Sequence, residues 1–190
     1  MSNLCSIREC ADAVRAVIEE NRDNTEALRT ELLEAVQAFI ARPDLFNLGV
    51  KRPGNHIDNS RYIYYDGELS ITLDELPKDM VVPPHDHGIW EALVILKGGL
   101  HHAVYDRMDD GSVDGYAKLK CIEDKIFKPI EMAMVIPPAE IHSFNAQEEG
   151  TFILTIVGGN YSANRHYYNV AENTYQVAKA GAVKPKKKAA

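Results

Sequence analysis

The sequence predicts a mainly β fold, a sandwich or jelly roll, preceded by two N-terminal α-helices. Apolar residues recur at helical spacing up to about residue 41. From residue 61 onward the apolar period changes to two, in seven to eight short runs that turn signals separate. Many short strands at close spacing are typical of a sandwich or jelly roll. At 190 residues the chain is most simply one domain, long enough to bury a substantial core.

The first helix is predicted over residues 7–20, where Ser6 and Glu9 form a possible capping box. A second helix is predicted over residues 25–41, with one apolar face and Pro43 after its end. The apolar positions are Ile7, Cys10, Val14, Val17 and Ile18 in the first helix, and Leu28, Leu32, Val36, Phe39 and Ile40 in the second. We expect residues 1–45 to form a helical segment that covers one face or end of a sheet.

The predicted strands cover residues 61–65, 68–73, 87–96, 100–106, 116–122, 132–136, 142–145 and 151–157. Turn signals such as Asp66-Gly67 and Gly98-Gly99 separate them. Residues 46–175 are therefore expected to form a β-barrel, with the weakly patterned stretch 161–175 wrapping back across it. The basic end, residues 176–190, is predicted to be a disordered tail.

The charge distribution bears on the partners of the folded part. The chain has a net charge of −7, although four lysines of the tail are included in that sum. The body before residue 184 carries 17 basic and 28 acidic side chains, so nucleic acid and anionic membranes are poor partners for it. No apolar run approaches the roughly 20 residues that span a bilayer. No membrane association is therefore expected.

The cysteines indicate a reducing compartment. Cys5, Cys10 and Cys121 are an odd set without a CxxC pair, which argues against a disulfide framework. The first two lie in or beside the first predicted helix, where we interpret them as small apolar residues. A cytoplasmic location is expected.

A candidate metal site is the most informative motif. His85 and His87 are two residues apart on an extended segment and therefore project to the same side, and Glu91 follows four residues later. A further histidine, His142, follows the Pro137-Pro138 pair. Three histidines with a possible carboxylate are nitrogen and oxygen ligands that suit iron, nickel, copper, manganese or zinc. The alternative is that the His-x-His rings cap a turn or lie in solvent.

The two halves of this pattern resemble the two signature motifs of the cupin superfamily. They are His85-x-His87-x3-Glu91-x6-Gly98 and Pro137-x4-His142. The resemblance implies a cupin double-stranded β-helix, or jelly roll, in which the three histidines and Glu91 bind one metal ion. In the second half, Ala139 replaces the usual glycine and Asn145 lies one residue closer to His142 than in the family pattern.

Within the cupins the chain resembles the cysteine dioxygenase family of thiol dioxygenases. The residues that carry this resemblance are Phe39 to Asp44, His85-Asp86-His87, Leu93 to Leu100, Tyr105-Asp106, Ile141-His142 and the strand 151–157. The resemblance implies a mononuclear Fe(2+) ion on His85, His87 and His142, with O2 and a small-molecule substrate beside it. It also implies that Arg61 binds a substrate carboxylate, a role that suits the planar guanidinium; the alternative is that Arg61 is a solvated loop residue.

The chain departs from that family in its substrate pocket. Glu91 stands where the animal enzymes have a crosslinked cysteine, and it is a candidate fourth ligand as in other cupins. The family's Ser-His-Tyr relay falls near Ile153, Thr155 and Val157, so cysteine itself is not the expected substrate. The candidate pocket walls are Trp90, Phe144, Ile153 and Val157, and the candidate polar contacts are Tyr62, Tyr64, His102 and Tyr105, of which Tyr105 is also a candidate catalytic residue.

The total charge of the metal-ligating side chains distinguishes the predicted functions from one another. Three neutral imidazoles leave iron(II) with its full charge, which favours an anionic chelating substrate such as a thiolate or enolate, whereas the Glu91 carboxylate lowers that charge. We predict an iron-dependent dioxygenase of a small anionic substrate. The alternatives are a non-redox isomerase, lyase or decarboxylase that uses Zn, Mn or Ni, and a non-catalytic metal-binding module.

Barrels of this kind often pair through sheet edges, so a homodimer is also expected.

Overall fold

The computed structural model describes residues 4–21, 24–51, 57 and 59–178. Two helices come first, α1 (Ile7–Glu20) and α2 (Thr25–Ile40), and they agree with the predicted ranges to within one residue. The predicted capping box is present, since the Ser6 backbone N–H donates to Glu9 Oε2 over 2.7 Å and the Glu9 N–H donates to Ser6 Oγ over 3.2 Å. Neither described helix is long and apolar enough to cross a bilayer.

Short strands make up most of the remaining described chain, after a single 3-10 turn at Leu45–Asn47. They are β1 (Val50–Lys51), β2 (Asn59–Tyr65), β3 (Ser70–Leu76), β4 (Val81–His85), β5 (Glu91–Lys97), β6 (Leu100–Arg107), β7 (Leu119–Phe127), β8 (Met132–Val135), β9 (Ile141–Ala146), β10 (Thr151–Val157), β11 (His166–Asn169) and β12 (Thr174–Val177).

The strands form two six-stranded antiparallel sheets. The first has the order β1-β2-β3-β10-β5-β8 and the second has the order β12-β11-β4-β9-β6-β7. From β3 to β6, and again from β7 to β11, each strand lies in the sheet opposite its predecessor. This alternation is the double-stranded β-helix, or jelly roll, so the predicted fold class is confirmed.

The first sheet is covered on both faces. On β5, Ala92 and Val94 pack with the two helices, whereas Leu93 and Ile95 face the barrel interior. Burial on both faces explains why this strand is a nearly continuous apolar run instead of an alternating one. On β3 the outer face is apolar and the inner face carries Thr72 and Asp74, which reach the barrel cavity.

Several strand predictions differ from the structure, and β4 and β7 are two examples. The β4 strand was not predicted, because Pro83 and Pro84 lie within it; its pairing with β9 shifts register between Val82 and His85, where a proline pair is tolerated. The β7 strand begins three residues later than predicted.

The C-terminal stretch is more regular than its weak pattern indicated. Strands β11 and β12 pair with each other and extend the second sheet. The strand β12 continues to Val177, so the predicted barrel boundary at residue 175 is corrected to include it. The rest of the predicted tail, residues 179–190, lies outside the described residues.

Candidate metal centre

Three buried histidines converge on one point inside the barrel. Nε2 of His85 lies 2.9 Å from Nε2 of His87, and Nε2 of His87 lies 3.4 Å from Nε2 of His142. One ring nitrogen from each lies within 4.8 Å of the others. Two ligand atoms held about 2.1 Å from one ion are roughly 3 to 3.4 Å apart at adjacent positions, so this spacing fits a shared metal ion. The cluster could therefore hold a metal ion.

The fold brings these residues together from different parts of the chain. His85 ends β4 and His87 lies in the loop that follows, while His142 is on the neighbouring strand β9. The register pairs His85 directly with His142. Opposite residues on paired strands project to the same face, which accounts for the convergence.

All three imidazoles are neutral at ordinary pH. Burial lowers the pKa of His85 to about 3 and the pKa of His87 to about 4. It also holds the pKa of His142 well below its ordinary value. Neutral imidazole is the form that binds a metal ion.

The proton of His85 lies on the ring nitrogen that faces away from the cluster. Its Nδ1 is 2.9 Å from the backbone oxygen of Pro83, which can only accept a hydrogen bond. Nδ1 therefore carries the proton, and Nε2 presents a lone pair to the cluster. A metal ion is a partner that such a lone pair can bind.

Glu91 lies beside the histidines as a possible fourth ligand. Its Oε2 is 3.4 Å from His142 Nε2 and 3.7 Å from His87 Nε2, and since these rings are neutral the contacts are not ion pairs. This oxygen is buried and accepts no hydrogen bond among the described residues. The other oxygen, Oε1, accepts from the Tyr161 hydroxyl over 2.6 Å. An unpartnered buried oxygen aimed at three ring nitrogens fits a metal site.

The loop that carries His87 is bound by a carboxylate from the facing turn. Glu140 Oε2 accepts hydrogen bonds from the backbone N–H groups of His87, Gly88 and Ile89 over 3.2, 2.8 and 3.2 Å. Successive N–H groups in such a turn form a concave anion site, and Gly88 allows it by adopting a φ of +71°. Glu140 thereby joins the His87 loop to the turn that precedes His142.

Removing the Glu140 carboxylate is expected to loosen the metal site. The variant Glu140→Ala should bind metal about 10- to 100-fold more weakly than wild type, since it frees the backbone that positions His87. Glu140→Gln keeps an acceptor oxygen and should lose less. Titration with a competing chelator measures the affinity. Glu131→Ala, which removes a carboxylate that accepts from the Lys128 N–H in another turn, is the matched control, and an equal loss there would contradict this role.

The ring of His142 is positioned by a fourth buried histidine. Its Nδ1 lies 2.9 Å from Nε2 of His102, a residue of β6 that is 1% exposed. Burial lowers the pKa of His102 to about 3, so this ring is neutral as well. If His142 Nε2 binds metal, its Nδ1 carries the proton and His102 Nε2 accepts it. His102 is thus a positioning residue for His142.

Replacing His102 with phenylalanine should weaken metal binding about 10- to 100-fold, because His142 loses the acceptor that fixes its tautomer. His102→Gln offers a side-chain oxygen in its place and should recover part of the affinity. Metal-to-protein stoichiometry after dialysis against a chelator gives the readout. Equal affinity in wild type and His102→Phe would show that His102 only fills space.

Two members of the cluster, His85 and His87, line a cavity of about 150 Å³ together with Glu91. A cavity of about that size accommodates a molecule as large as benzene. Its apolar wall consists of Ile57, Met80, Val82, Leu93, Phe144 and Val157. Its polar wall includes Ser60, Tyr62, Ser70, Thr72, Asp74 and Thr155. The cavity could therefore accommodate a small molecule with both apolar and polar groups.

Two predicted catalytic residues lie elsewhere. Side chains alternate along β2, so Arg61 projects away from the cavity that Ser60 and Tyr62 line. Tyr105 packs on the outer face of the second sheet, where its hydroxyl lies 3.2 Å from Ser143 Oγ. The expected roles of Arg61 and Tyr105 in the pocket are therefore corrected.

The predicted pocket walls are corrected in part. Phe144, Val157 and Tyr62 line the cavity. Trp90 and Ile153 belong to the hydrophobic cores instead.

The predicted polar contact Tyr64 also lies elsewhere. Its hydroxyl donates to Asp66 Oδ2 over 2.9 Å on the outer side of the first sheet. Tyr62 and Tyr64 are two residues apart in β2 but lie in different environments, because the pairing of β2 with β3 shifts register between them.

Two tyrosines that sequence reasoning missed lie against the ligands. The Tyr161 ring stacks on His87 with ring centroids 4.8 Å apart, and the Tyr167 ring stacks on His85 at 5.6 Å. Burial and the Glu91 carboxylate raise the pKa of Tyr161 well above its ordinary value, so its hydroxyl remains a donor. Both come from the C-terminal stretch, where no ligand-like spacing indicated them.

Several solved structures are similar to parts of this chain at low sequence identity. KdgF from Halomonas sp. is 12% identical, with a TM-score of 0.40, over 53% of this chain and 79% of that chain. A cupin superfamily protein from Desulfitobacterium hafniense is 18% identical, with a TM-score of 0.38, over 53% of this chain and 76% of that one. An uncharacterized conserved protein with a double-stranded β-helix domain from Klebsiella pneumoniae is 11% identical, with a TM-score of 0.41, over 63% and 77%.

No protein-family model matches this chain, and no curated protein matches it with significant similarity. The assignment of the fold therefore stands on the observed topology, in which two antiparallel sheets exchange successive strands. The chain has a jelly-roll fold with a buried three-histidine cluster that could hold a metal ion.

Proposed function

We propose that this protein is a non-haem iron(II) dioxygenase that uses O2 to oxidise a small anionic substrate. The observation that carries the proposal is the convergence of three neutral, buried imidazoles, two of which line a small cavity. The resemblance of the sequence to thiol dioxygenases supports the choice of iron and O2. Three neutral ligands suit an ion that must keep its charge for an anionic substrate.

His85, His87 and His142 would hold the ion through their Nε2 atoms. Iron(II) would supply a Lewis-acid site for an anionic group and electrons for O2 chemistry. His102 and the backbone oxygen of Pro83 contact the second ring nitrogens of His142 and His85, whereas Nδ1 of His87 has no hydrogen-bond partner among the described residues. These two contacts orient the His85 and His142 rings for metal binding.

The cavity walls determine what reaches the ion. Phe144, Val82 and Leu93 present apolar surface next to the histidines, which excludes water from that side. The Tyr161 hydroxyl donates to Glu91 and so holds one carboxylate oxygen away from the cluster while the other faces it. The cavity volume of about 150 Å³ limits the substrate to a small molecule.

A second candidate follows from the position of Glu91. If Glu91 Oε2 binds the metal, the site has three histidines and one carboxylate, which lowers the charge on the ion and occupies a coordination position. Such a set suits a non-redox isomerase, lyase or decarboxylase that uses zinc, manganese or nickel. Turnover without O2, in a protein purified with one of those metals, would favour this candidate.

Oxygen consumption by the iron-loaded protein tests the proposal. We expect O2 uptake above background with one member of a panel of small thiols and β-diketones, and none by the His85→Ala variant loaded in the same way. The panel should include thiols with neutral, anionic and cationic ends, since the pocket contains both apolar and polar walls. Uptake equal in wild type and His85→Ala would exclude the proposed reaction for that panel.

A further inference from the structure

A buried carboxylate lies in the polar wall of the cavity. Asp74, on the inner face of β3, is 2% exposed and lines the same cavity as the histidines. Its Oδ2 accepts hydrogen bonds from the Thr72 hydroxyl over 2.8 Å and from the Thr155 hydroxyl over 2.6 Å. Three elements of the fold thus contribute to one polar corner, since Thr155 is on the neighbouring strand β10 and Ser60 on β2.

The second oxygen of this carboxylate is unpartnered. Asp74 Oδ1 is buried and accepts no hydrogen bond among the residues that the structure describes, although Ser60 is near enough to lower the pKa of the group. Leaving a buried acceptor unpaired costs about 1 to 3 kcal/mol, and more when the group is charged. Besides the nearby Ser60 hydroxyl, a molecule that enters the cavity could supply a donor to this oxygen.

The charge of Asp74 indicates which donor fits best. Two hydroxyl groups already donate to Oδ2, and this favours the ionised carboxylate. Two other charged side chains line the cavity, Glu91 and Arg165. Burial, and to a smaller extent the Glu91 carboxylate, raises the pKa of Asp74, and a cation next to Asp74 would oppose that shift. Buried charges in proteins are normally paired with an opposite charge. A cationic donor would both satisfy the hydrogen bond and balance the charge of Asp74, whereas a neutral donor would only satisfy the hydrogen bond.

We propose that Asp74 Oδ1 binds a protonated amine of the substrate, so that the substrate carries an ammonium group at one end and a metal-binding anionic group at the other. This inference rests on the proposed function in taking the cavity as the substrate site. The hydroxyl oxygens of Thr72 and Thr155 lie beside the carboxylate and can accept the remaining ammonium N–H groups. Asp74 is then a specificity-determining residue.

Binding without turnover tests this assignment. Iron(II)-loaded protein, kept anaerobic, is titrated calorimetrically with alkanethiols of several chain lengths that end in ammonium, hydroxyl, carboxylate or methyl. We expect the ammonium thiol of the best length to bind about 10- to 100-fold more tightly than the hydroxyl and methyl thiols of equal length, as a charged hydrogen bond predicts. In Asp74→Asn, which keeps an acceptor for the threonines, that preference should disappear.

The matched control is Glu75→Gln. Glu75 is the next residue on β3 and projects to the opposite face, so the variant removes the same charge outside the cavity. It should retain the ammonium preference. Equal binding of ammonium and hydroxyl thiols by wild type, or an unchanged preference in Asp74→Asn, would overturn the assignment.

A parallel measurement separates this inference from the proposed reaction. Butylammonium is titrated into the metal-free protein and followed by NMR. If no thiol binds the loaded protein but butylammonium binds in a manner that Asp74→Asn abolishes, the thiol chemistry fails and the amine site stands. If butylammonium shows no dependence on Asp74, the amine site fails whatever the outcome of the oxygen experiment.

If Asp74→Asn does not fold, nuclear Overhauser effects in the wild-type protein test the assignment. Nuclear Overhauser effects between the ligand methylene next to nitrogen and the methyl groups of Thr72 and Thr155 in wild type would place the amine at Asp74. Their absence in a saturated sample would overturn the assignment without any variant.

Discussion

Replacing His85 or His142 with alanine is expected to abolish stoichiometric metal binding and, with it, oxygen consumption. Structural metal sites of about four ligands bind with roughly 10 to 16 kcal/mol, so one lost ligand removes about 3 kcal/mol, or at least about a hundredfold in affinity. The loss should be larger for these residues than for Glu140 or His102, which only position the ligands. Elemental analysis of protein purified and then dialysed gives the occupancy.

The control for this prediction is His101→Ala. His101 is the neighbour of His102 on β6 but projects outward, where its Nε2 lies 2.6 Å from Asp124 Oδ1. That variant should keep full occupancy and full oxygen uptake. Metal retained at wild-type stoichiometry in both His85→Ala and His142→Ala would show that the cluster is not the metal site.

Acidification is expected to destabilise the metal-free protein strongly between about pH 7 and about pH 5. Unfolded histidines bind protons near pH 6.5. In the folded protein, burial lowers the pKa of His85 and His102 to about 3 and that of His87 to about 4. The unfolded state therefore binds more protons in this window, so stability falls as the pH falls. At about pH 5 the loss approaches about 2 kcal/mol for each such histidine.

Urea unfolding of chelator-treated protein at a series of pH values measures this loss. Asp74 and Glu91, whose pKa values burial raises, act in the opposite direction, so the decisive comparison is between variants. His85→Gln and His102→Gln should each reduce the dependence of the unfolding free energy on pH.

The control for the acid effect is His101→Gln. A hydrogen bond to Asp124 raises the pKa of His101, so its contribution is present at low pH and is lost as the pH rises. Removing it should not reduce the loss of stability on acidification. If His85→Gln, His102→Gln and His101→Gln all gave the wild-type pH dependence, the buried rings would not be the source of the effect.

Metal loading should suppress the acid effect in part. A metal ion that binds only the folded state adds stability, and it holds the histidines in their unprotonated form. The loaded protein should therefore remain folded to a lower pH than the metal-free protein until protons displace the ion. This comparison links the two predictions, because both depend on the same neutral imidazoles.

The local patterns of the sequence were sufficient for both helices and for most strands of the barrel, and together with the motif resemblance they were sufficient to propose the ligand set. The helices follow from apolar spacing and from the Ser6 cap, and β10 was predicted with its observed bounds. His85 and His87 could be proposed together because a two-residue spacing on an extended chain puts side chains on one side, and His142 was added by the resemblance of its motif to the second cupin motif. These features depend on neighbours along the chain, which a sequence displays directly.

Other features depend on contacts between strands that are far apart in the chain. The pairing of β6 with β9 decides that His102, and not His101, meets His142. Arg61 lies on the face of β2 that points away from the cavity, and Tyr105 lies on the outward face of β6, so neither side chain reaches the cavity. A shift of one residue in either strand would reverse these assignments, since strand side chains alternate.

The sequence by itself determined that this chain forms a jelly roll with two leading helices, and it indicated which histidines could bind a metal ion. Only the tertiary structure decided what surrounds them: the Tyr161 contact with Glu91, the Glu140 contact with the His87 loop, and the unpartnered oxygen of Asp74. The physical reason is that periodicity and motif spacing are local, whereas the environment of a buried polar atom is set by the register and packing of distant strands.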